Sequence, residues 1–316
     1  MSQPFRLNKE GLINRNKKIS FTFNGKKLFG YEGDTIASAL IANGIHLVGR
    51  SFKYHRPRGF FGAGVEEPNA KLQVEFNGHS EPNVNATEME LVEGLSATSQ
   101  NCWPSVNFDI GAINNFLKMF FPAGFYYKTF MWPKSFWYKI YEPFIRKAAG
   151  LGVASIEKDK ERYEHKFEYC DLLVTGSGPS GLASAYAAAK NGAKVILAED
   201  KPRFGGTLLT DDVSIDNLSG KDWAEKIVSE LKSMPNVTVK NRSQVFGYYD
   251  HNMLVMFERV SDHLEKKSKF TPRQRLWYIR AKETILSTGS IERPIVFGNN
   301  DTPGIFLSAA AKEYMK

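Results

Sequence analysis

The fold of the second half of the chain is decided by residues 170–207, CDLLVTGSGPSGLASAYAAAKNGAKVILAEDKPRFGGT. The apolar run at 172–174 predicts a buried parallel strand. Gly176, Gly178 and Gly181 follow as G-x-G-x-x-G. In a dinucleotide-binding turn, the first glycine permits the tight turn and the second lets the backbone approach a pyrophosphate. The third lets the helix lie close to the sheet.

The residues after these glycines complete a strand–helix–strand unit. An Ala-rich helical pattern ends at Asn191-Gly192, and a second apolar run at 195–198 ends on Glu199. The helix N-terminus presents free N–H groups and the positive end of its dipole to phosphates. A carboxylate at the position of Glu199 meets the adenosine ribose and repels a 2′-phosphate, which favours NAD or FAD over NADP. Lys201 weakens this exclusion slightly, and the ordered pattern favours dinucleotide binding over a purely structural glycine turn.

The composition is that of an ordinary globular protein. With 316 residues, 42% hydrophobic and 24% charged, two domains are expected. The net charge of +8 is spread along the chain without a long Lys/Arg block, so a solvated basic surface is favoured and no nucleic-acid partner is predicted.

The two cysteines, Cys102 and Cys170, lie far apart and form no metal-binding or disulfide pattern. Cys170 begins the first predicted core strand, where a buried structural thiol is expected. The N-terminus lacks an apolar signal core, and no apolar run is long enough to cross a membrane. We therefore expect a cytoplasmic protein with no metal ligands and no membrane partner.

Residues 1–105 predict a small β-grasp domain. The predicted elements are a strand at 19–23, a turn at 24–25, a returning strand at 28–29, a helix at 36–42 capped by Asp34 and Thr35, a strand at 71–76 and a turn at 77–78. This order resembles plant-type ferredoxins, in which the loop after the helix carries C-x4-C-x2-C. Here that loop contains no cysteine, so ligand count excludes an iron–sulfur cluster.

The same loop is rich in cations: Arg50, Lys53, His55, Arg56 and Arg58. Two interpretations remain open from the sequence. These residues form a solvated basic loop, or they contact a flavin phosphate or an acidic partner surface.

Residues 106–168 predict an aromatic extension followed by a linker. Between 116 and 144 the chain has 13 aromatic residues in 29 positions, and three prolines exclude one continuous helix. So much aromatic surface predicts burial, either between the domains of this chain or against a partner subunit. The segment 158–166, KDKERYEHK, predicts a charged linker or helix.

Residues 169–316 predict an incomplete Rossmann-type FAD/NAD(P)-binding domain, so the expected fold class is α/β and α+β. Beyond Glu199, the predicted features are a glycine turn at 204–207, a helix at 223–234, a strand at 237–239, a hairpin from 243 to 250, a strand at 279–286 and a turn at 287–289. The chain stops inside a helical pattern. We therefore expect a fragment of a longer polypeptide.

Eight sequence pieces together resemble the α subunit of heterotetrameric sarcosine oxidases. They are GDTIASALIANGIHLVGRSFKYHRPRG, EEPNA, SQNCWPS, AGFYYKTFMWP, YEPFIRKAAGLG, GSGPSG, FGGTLL and TGSIERPIVFGNNDTPG. They span nearly the whole chain. The resemblance implies a soluble complex with β, γ and δ subunits that oxidises sarcosine with O2 and releases H2O2. It also implies NAD in this chain, FAD in β, FMN at the interface with β, and tetrahydrofolate bound by an absent C-terminal part.

The resemblance also implies contacts to the nucleotide, and it implies no catalytic residue in this chain. The implied cofactor-binding residues are Gly176, Gly178, Ser180, Gly181, Glu199, Asp200, Lys201, Gly206, Thr207, Val245, Thr288 and Gly289. Val245 is implied as a backbone contact near the adenine, and Thr288 and Gly289 come from the wider flavoprotein pattern.

Two alternatives stay open. One is the α subunit of a related opine or secondary-amine dehydrogenase with FAD in the glycine loop. The other is a non-catalytic scaffold whose nucleotide is structural.

Overall fold

The computed structural model describes residues 3–8, 11–122, 124 and 129–316. It divides into two compact units, Met1–Asp159 together with Glu292–Met315, and Lys160–Ile291 together with Lys316. The sequence analysis grouped residues 169–316 together, whereas residues 292–315 pack with the first unit. Five members of the predicted aromatic extension, Ala123, Phe125, Tyr126, Tyr127 and Lys128, lie outside the described residues.

The regular elements are numbered along the chain. The strands are β1 (Asn14–Phe23), β2 (Lys26–Glu32), β3 (Gly49–Arg50), β4 (Pro57–Arg58), β5 (Lys71–Phe76), β6 (His79–Asn85), β7 (Ser96–Ser99), β8 (Tyr163–Thr175), β9 (Val195–Ala198), β10 (Ser214–Ile215), β11 (Leu218–Ser219), β12 (Val237–Lys240), β13 (Ser243–Tyr249), β14 (Met253–Arg259) and β15 (Gln274–Leu286). The α-helices are α1 (Ile36–Ala42), α2 (Ile113–Phe116), α3 (Glu142–Ala148), α4 (Pro179–Lys190), α5 (Gly220–Ser233) and α6 (Ser308–Met315).

The first unit contains the β-grasp fold that the sequence predicted. Its sheet has the order β2-β1-β7-β5-β6, in which β1 and β7 are parallel and the other neighbours are antiparallel. The alternating Ile19, Phe21 and Phe23 of β1 are buried, and Leu40 of α1 packs in the same apolar core. Alternation along a strand and one apolar helix face therefore form this core.

Two residues at the N-terminus of α1 have different structural roles. Thr35 is the N-cap, and its side chain and that of Ser38 form a reciprocal capping box. Asp34 is 1% exposed and forms a bidentate ion pair with Arg6, at 2.9 and 2.7 Å. Thus Thr35 caps the helix as predicted, whereas Asp34 ties the N-terminal segment to it.

The cations of the loop after α1 have partners inside the first unit. Arg56 forms a bidentate ion pair with Asp301, with both N–O distances at 2.8 Å, and Arg58 contacts the same carboxylate. Arg50 donates to the carbonyl of Val106 at 2.6 and 2.9 Å. Of the two open interpretations, the solvated loop does not describe these arginines. Asp301, distant in sequence, pairs with Arg56 and Arg58, and the carbonyl of Val106 accepts from Arg50.

His55 of this loop is also held within the unit. Its Nδ1 lies 2.6 Å from the carboxylate of Asp109, and its side chain is 12% exposed. The carboxylate of Asp109 in turn accepts the backbone N–H of Trp103 and of Gly111. The loop and the start of the aromatic extension are therefore joined by one hydrogen-bonded group.

The described part of the aromatic extension forms short helical turns, as its prolines predict. Between α2 and α3 the chain forms 3-10 turns at Lys118–Phe120 and Lys134–Phe136 and a π-helical turn at Trp137–Tyr141. Many of its large side chains are exposed, among them Phe116 (85%) and Trp132 (83%). Within the described part of the chain, every helix is too short or too polar to cross a lipid bilayer.

The second unit is built on one mixed sheet of order β12-β9-β8-β15-β14-β13. The pairs from β12 to β15 are parallel, and β13–β15 form an antiparallel meander. Val195 and Leu197 pack in a cluster with α4 and α5, whereas Ile196 and Ala198 pack in a second cluster. Both faces of β9 are thus buried, as a continuous apolar run predicts.

Strand β8 is longer than its apolar run suggests. The sequence predicted a charged linker or helix at 158–166, but regular pairing with β15 begins at Tyr163. Glu164 lies opposite Arg275, and its carboxylate accepts the arginine Nε at 3.0 Å. Cross-strand charge pairing therefore extends a polar segment as a strand, and single-strand periodicity does not reveal such pairing.

The remaining elements of the second unit agree with the sequence in type and differ in extent. Helix α5 begins earlier than predicted because Ser219 accepts the N–H of Asp222 as its N-cap. Strand β15 begins at Gln274, five residues before the predicted start at 279. Cys170 is fully buried, as predicted, and burial raises the pKa of its thiol to about 12.

Candidate dinucleotide-binding site

The turn between β8 and α4 requires glycine at two positions. Gly176 has a φ of +98°, and a Cβ there would lie 2.2 Å from the carbonyl oxygen of Ser287. A Cβ on Gly181 would lie 1.9 Å from the carbonyl oxygen of Gly176. The first and third glycines of the motif are therefore fixed by close backbone packing, as the sequence predicted.

Gly178 differs from its two neighbours in the motif. A Cβ placed on it would meet no atom within 4 Å. It is the N-cap residue of α4, where no side chain caps the helix, and the side chain of Ser180 in the first turn is exposed. The space in front of this helix N-terminus can thus accept a phosphate, and the residues present fit a dinucleotide.

Glu199, at the end of β9, is bound to this turn. Its carboxylate oxygen Oε2 accepts the backbone N–H of Ser177 at 2.9 Å and also the Ser177 hydroxyl. Oε1 accepts the N–H of Lys201 at 3.0 Å. Glu199 is 6% exposed, so the predicted ribose ligand lies at the turn but is already engaged by the protein.

The environment of Glu199 disfavours its charge. Burial, followed by the neighbouring Asp200, raises the pKa of Glu199 to about 7, and the bond from Ser177 opposes this shift. The carboxyl group is therefore partly protonated near neutral pH. A protonated carboxyl can donate a hydrogen bond as well as accept one, which suits a ribose hydroxyl in either direction.

A second glycine turn lies against the first. The N–H of Gly205 donates to the carbonyl and to the hydroxyl of Ser177, each at 3.1 Å. A Cβ on Gly206 would lie 3.0 Å from the Cα of Gly178. Gly206 and Thr207, which begin a 3-10 turn, are exposed beside the phosphate-binding position. The structure thus brings together turns that are separate in sequence.

Two further segments reach this group. The N–H of Ser243, the first residue of β13, donates to the carbonyl of Glu199 at 2.7 Å. Val245 lies two positions farther along this edge strand, paired with Met256. At the end of β15, Ser287 donates to the carbonyl of Thr175 at 2.8 Å, which places the following Thr288 and Gly289 next to the first turn.

Apart from Val245, which lies in the edge strand β13, the predicted site residues gather around the carboxyl ends of β8, β9 and β15, with Asp200 and Lys201 directly after β9. Sequence reasoning missed Ser177, whose side chain joins Glu199 to Gly205. Its position as the variable residue in G-x-G was the available signal, but its partners are set by tertiary packing. Binding at the carboxyl edge of parallel strands is the usual arrangement in open α/β sheets.

Comparison with protein families supports both halves of this description. Residues 16–102 match the family of 2Fe-2S iron-sulfur cluster binding domains, and residues 171–256 match the family of FAD dependent oxidoreductases. The second match covers the end of β8, the glycine turn, Glu199 and strands β9, β12 and β13.

Over 311 residues, 98% of this chain, the sequence is 53% identical to the sarcosine oxidase alpha subunit of Rhizobium meliloti. The chain belongs to the family of sarcosine oxidase alpha subunits. The alpha subunit of sarcosine oxidase from Corynebacterium sp. strain U-96 is 34% identical over the full chain. This chain spans only about a third of these relatives, 32% of the first and 29% of the second.

Two further proteins are less similar to this chain. An opine oxidase subunit of Agrobacterium tumefaciens is 27% identical over 154 residues, which cover 47% of this chain and 29% of that protein. The crystal structure of L-proline dehydrogenase from P. horikoshii matches with a TM-score of 0.60 at 21% identity. The match covers 96% of this chain and 47% of that one. The latter similarity concerns the fold.

Proposed function

We propose that this chain is the dinucleotide-binding part of the α subunit of a complex that oxidises sarcosine. The observation that carries the proposal is the 53% identity, across 98% of the chain, to the alpha subunit of a sarcosine oxidase. The proposed reaction converts sarcosine to glycine with O2, yields H2O2 and, with tetrahydrofolate, gives 5,10-methylenetetrahydrofolate. The proposed class is an oxidoreductase acting on the CH–NH group of its donor.

In this proposal the glycine turn of the second unit binds NAD. The free N–H groups at the start of α4, beside Gly178 and Ser180, hold the pyrophosphate. Glu199 binds the adenosine ribose, and Asp200, Lys201 and Thr207 border the nucleotide. The position of Glu199 beside Ser177 supports selection against a 2′-phosphate, because a carboxylate there repels a second anion, and Lys201 weakens this exclusion slightly.

The other cofactors and partners lie outside this chain. FAD in the β subunit supplies the oxidation of the amine, FMN lies at the interface with β, and tetrahydrofolate binds a part of the α subunit beyond these residues. The γ and δ subunits complete a cytoplasmic complex. Within the described residues of this chain we assign no catalytic residue, so its role is to bind a nucleotide and its partners.

The exposed aromatic surface supports a partner interface. We define this surface by Phe116, Met119, Phe120 and Trp132, which are 76–86% exposed. Single exposed apolar residues are common, but four within one short segment are typical of an interaction site. The relatives are named as subunits, and we propose that the β subunit covers this surface.

The direct test uses the full-length chain co-expressed with its β, γ and δ subunits. Oxygen uptake and peroxide release are measured on addition of sarcosine, with opines, proline and dimethylglycine as parallel substrates. Sarcosine-dependent peroxide is the expected result. Turnover on another amine, with none on sarcosine, would overturn the substrate assignment and retain the architecture.

A second candidate function is that of an opine or other secondary-amine dehydrogenase with FAD in this glycine turn. It is favoured by the similarity to an opine oxidase subunit and by the match to FAD dependent oxidoreductases. Because the β subunit carries FAD in the first proposal, the two proposals are separated by extracting the nucleotide from the α subunit after it has been separated from β. NAD supports the first, and FAD in this chain supports the second.

A purely structural nucleotide is distinguished by one variant. If Glu199→Ala empties the site while assembly and sarcosine turnover stay unchanged, the nucleotide has no redox role. A parallel fall in turnover and nucleotide content would instead show that the bound nucleotide supports catalysis.

A further inference from the structure

The loop between β4 and β5 retains the spacing of an iron–sulfur loop without its ligands. Gly62, Glu67 and Ala70 stand at the intervals of the three cysteines in C-x4-C-x2-C. The matched 2Fe-2S family includes this loop, but the chain's cysteines are Cys102 and Cys170. Glycine and alanine offer no ligand atom, and a cluster needs four ligands. The residues present therefore do not fit a cluster.

A buried carboxylate occupies the centre of the loop instead. Glu67 is 1% exposed. Its Oε2 accepts the backbone N–H of Phe61 at 2.6 Å and of Gly62 at 2.8 Å. Its Oε1 accepts the N–H of Asn69 at 2.6 Å and of Ala70 at 3.1 Å. Four inward-pointing N–H groups thus converge on one anion, in the way that backbone N–H groups donate to cluster sulfurs.

A second carboxylate fills the adjoining space. Oε1 of Glu66 accepts the N–H of Ala63 at 2.7 Å and of Gly64 at 3.0 Å. A Cβ on Gly62 would lie 2.6 Å from this oxygen, so Glu66 occupies the direction in which a side chain at position 62 would project. The two glutamates together accept six backbone N–H groups of the loop.

Thr87 also packs against this loop. Its hydroxyl donates to the carbonyl of Gly64 at 2.7 Å, and the side chain is 4% exposed. The neighbouring Ala86 donates to the carbonyl of Ala70 at 3.0 Å. Thr87 is therefore a residue, distant in sequence, whose side chain faces the loop.

Helix α6 and the residue before it hold the outer edge of the same loop. Leu307 donates its N–H to the carbonyl of Phe61 at 2.8 Å, and the Tyr314 hydroxyl donates to the carbonyl of Gly62 at 2.9 Å. Burial raises the pKa of Tyr314 well above its ordinary value, so the phenol stays a donor. Carbonyl groups of the loop therefore accept bonds from Leu307 and Tyr314, while its N–H groups donate to Glu66 and Glu67.

We propose that Glu67, supported by Glu66, replaces the iron–sulfur cluster as the anion around which this loop folds. Positions 62, 67, 70 and 87 are then the ligand positions of a metal site that the chain has exchanged for a carboxylate. The loop keeps its shape because four backbone donors still find a central acceptor, and burying them without one is unfavourable.

The first test compares two isosteric variants in the full chain. Glu67→Gln replaces an oxygen that accepts two N–H groups by an NH2 group that can only donate. Two backbone N–H groups then lose their acceptor and face another donor. Glu66→Gln is the matched control, because both of its bonds fall on one oxygen, which the amide carbonyl can replace. We expect Glu67→Gln to raise amide exchange in peptides spanning 60–71 at least tenfold and to lower the Tm, with Glu66→Gln near wild type. Equal effects of the two variants would overturn the proposal.

The second test restores the ligands. The fourfold variant Gly62→Cys, Glu67→Cys, Ala70→Cys and Thr87→Cys is reconstituted anaerobically with iron and sulfide in the full chain. The control carries the same changes with Glu66→Cys in place of Glu67→Cys. We expect the first to bind two irons per chain, with the absorption and EPR signals of a [2Fe–2S] cluster, and the second to bind none. A folded fourfold variant without iron, or equal loading of both, would overturn the assignment of these positions. If neither variant folds, the exchange comparison decides.

Discussion

Ser177 donates two hydrogen bonds to a single carboxylate oxygen of Glu199, from its backbone N–H and from its hydroxyl. The serine belongs to the first glycine turn and the glutamate to the end of β9, so one oxygen joins the two halves of the strand–helix–strand unit. Bonds within the protein therefore hold the candidate site in place. Under the proposed function, a ribose shares this carboxyl group with Ser177.

The burial of Glu199 makes the second unit sensitive to pH. Burial raises the pKa of Glu199 from its ordinary 4.5 to about 7, so the folded state holds the proton more tightly than the unfolded chain. The stabilisation from that proton is complete below 4.5 and is lost as the pH rises through about 7. We expect the Tm of Glu199→Gln, relative to wild type, to increase across this interval. Thermal melts at several pH values measure it, with the exposed Glu225→Gln as control, and a difference independent of pH would contradict the prediction.

Substituting alanine for different glycines of the motif should lower the free energy of unfolding by different amounts. Gly181→Ala places a Cβ 1.9 Å from a backbone oxygen, so we expect a loss of about 1–3 kcal/mol or more in the free energy of unfolding. Gly178→Ala meets open space and should cost only about 0.5–1 kcal/mol as a poorer N-cap. Its nucleotide content should fall, because the methyl group enters the phosphate space. Denaturant unfolding and nucleotide extraction measure the two effects, and equal destabilisation by both variants would contradict this account.

Much of the nucleotide unit could be predicted because its signals are local. Gly176 and Gly181 are required by contacts within one turn, and β9 is an apolar run bounded by Gly192 and Glu199. The length of β8 could not be predicted, because residues from Tyr163 onward become a strand only by pairing with β15.

The other features that the sequence did not reveal depend on partners that are distant in the sequence. Arg56 and Asp301 are 245 residues apart, so nothing near the basic loop indicated its counter-ion. The absence of cysteine in that loop was readable, but the four N–H groups converging on Glu67 were not. Backbone donor directions depend on the folded loop, whereas ligand counts depend only on composition.

The ion pair between Arg56 and Asp301 predicts a stability change at low pH. Hydrogen bonds from Arg56 and then Arg58 lower the pKa of Asp301 to about 2 from 3.8. The stabilisation is therefore present above 3.8 and is lost as the pH falls through about 2. We expect Asp301→Asn to cost about 1–2 kcal/mol near neutral pH, since charged hydrogen bonds are lost. The deficit should shrink as the pH falls below 3.8.

Unfolding of Asp301→Asn and wild type over this pH range supplies the measurement. The exposed pair of Lys17 and Glu32, with side chains 49% and 47% exposed, gives a matched control, and Glu32→Gln should change stability little. A deficit for Asp301→Asn no larger than that of Glu32→Gln would show that the loop does not depend on this counter-ion.

The last prediction concerns the exposed aromatic surface and rests on the proposed complex. Its side chains contribute little to the fold of this chain because Phe116 and Trp132 are 85% and 83% exposed. The double variant Phe116→Ser and Trp132→Ser should therefore keep the Tm of the isolated full-length chain but weaken its binding to the β subunit by at least tenfold. Large aromatic residues buried in an interface commonly contribute about 2 kcal/mol or more, on the order of this loss. Co-purification and titration with β measure the effect, with exposed Phe270→Ser of the second unit as control. Unchanged β binding with a lowered Tm would instead assign this surface to packing within the α subunit.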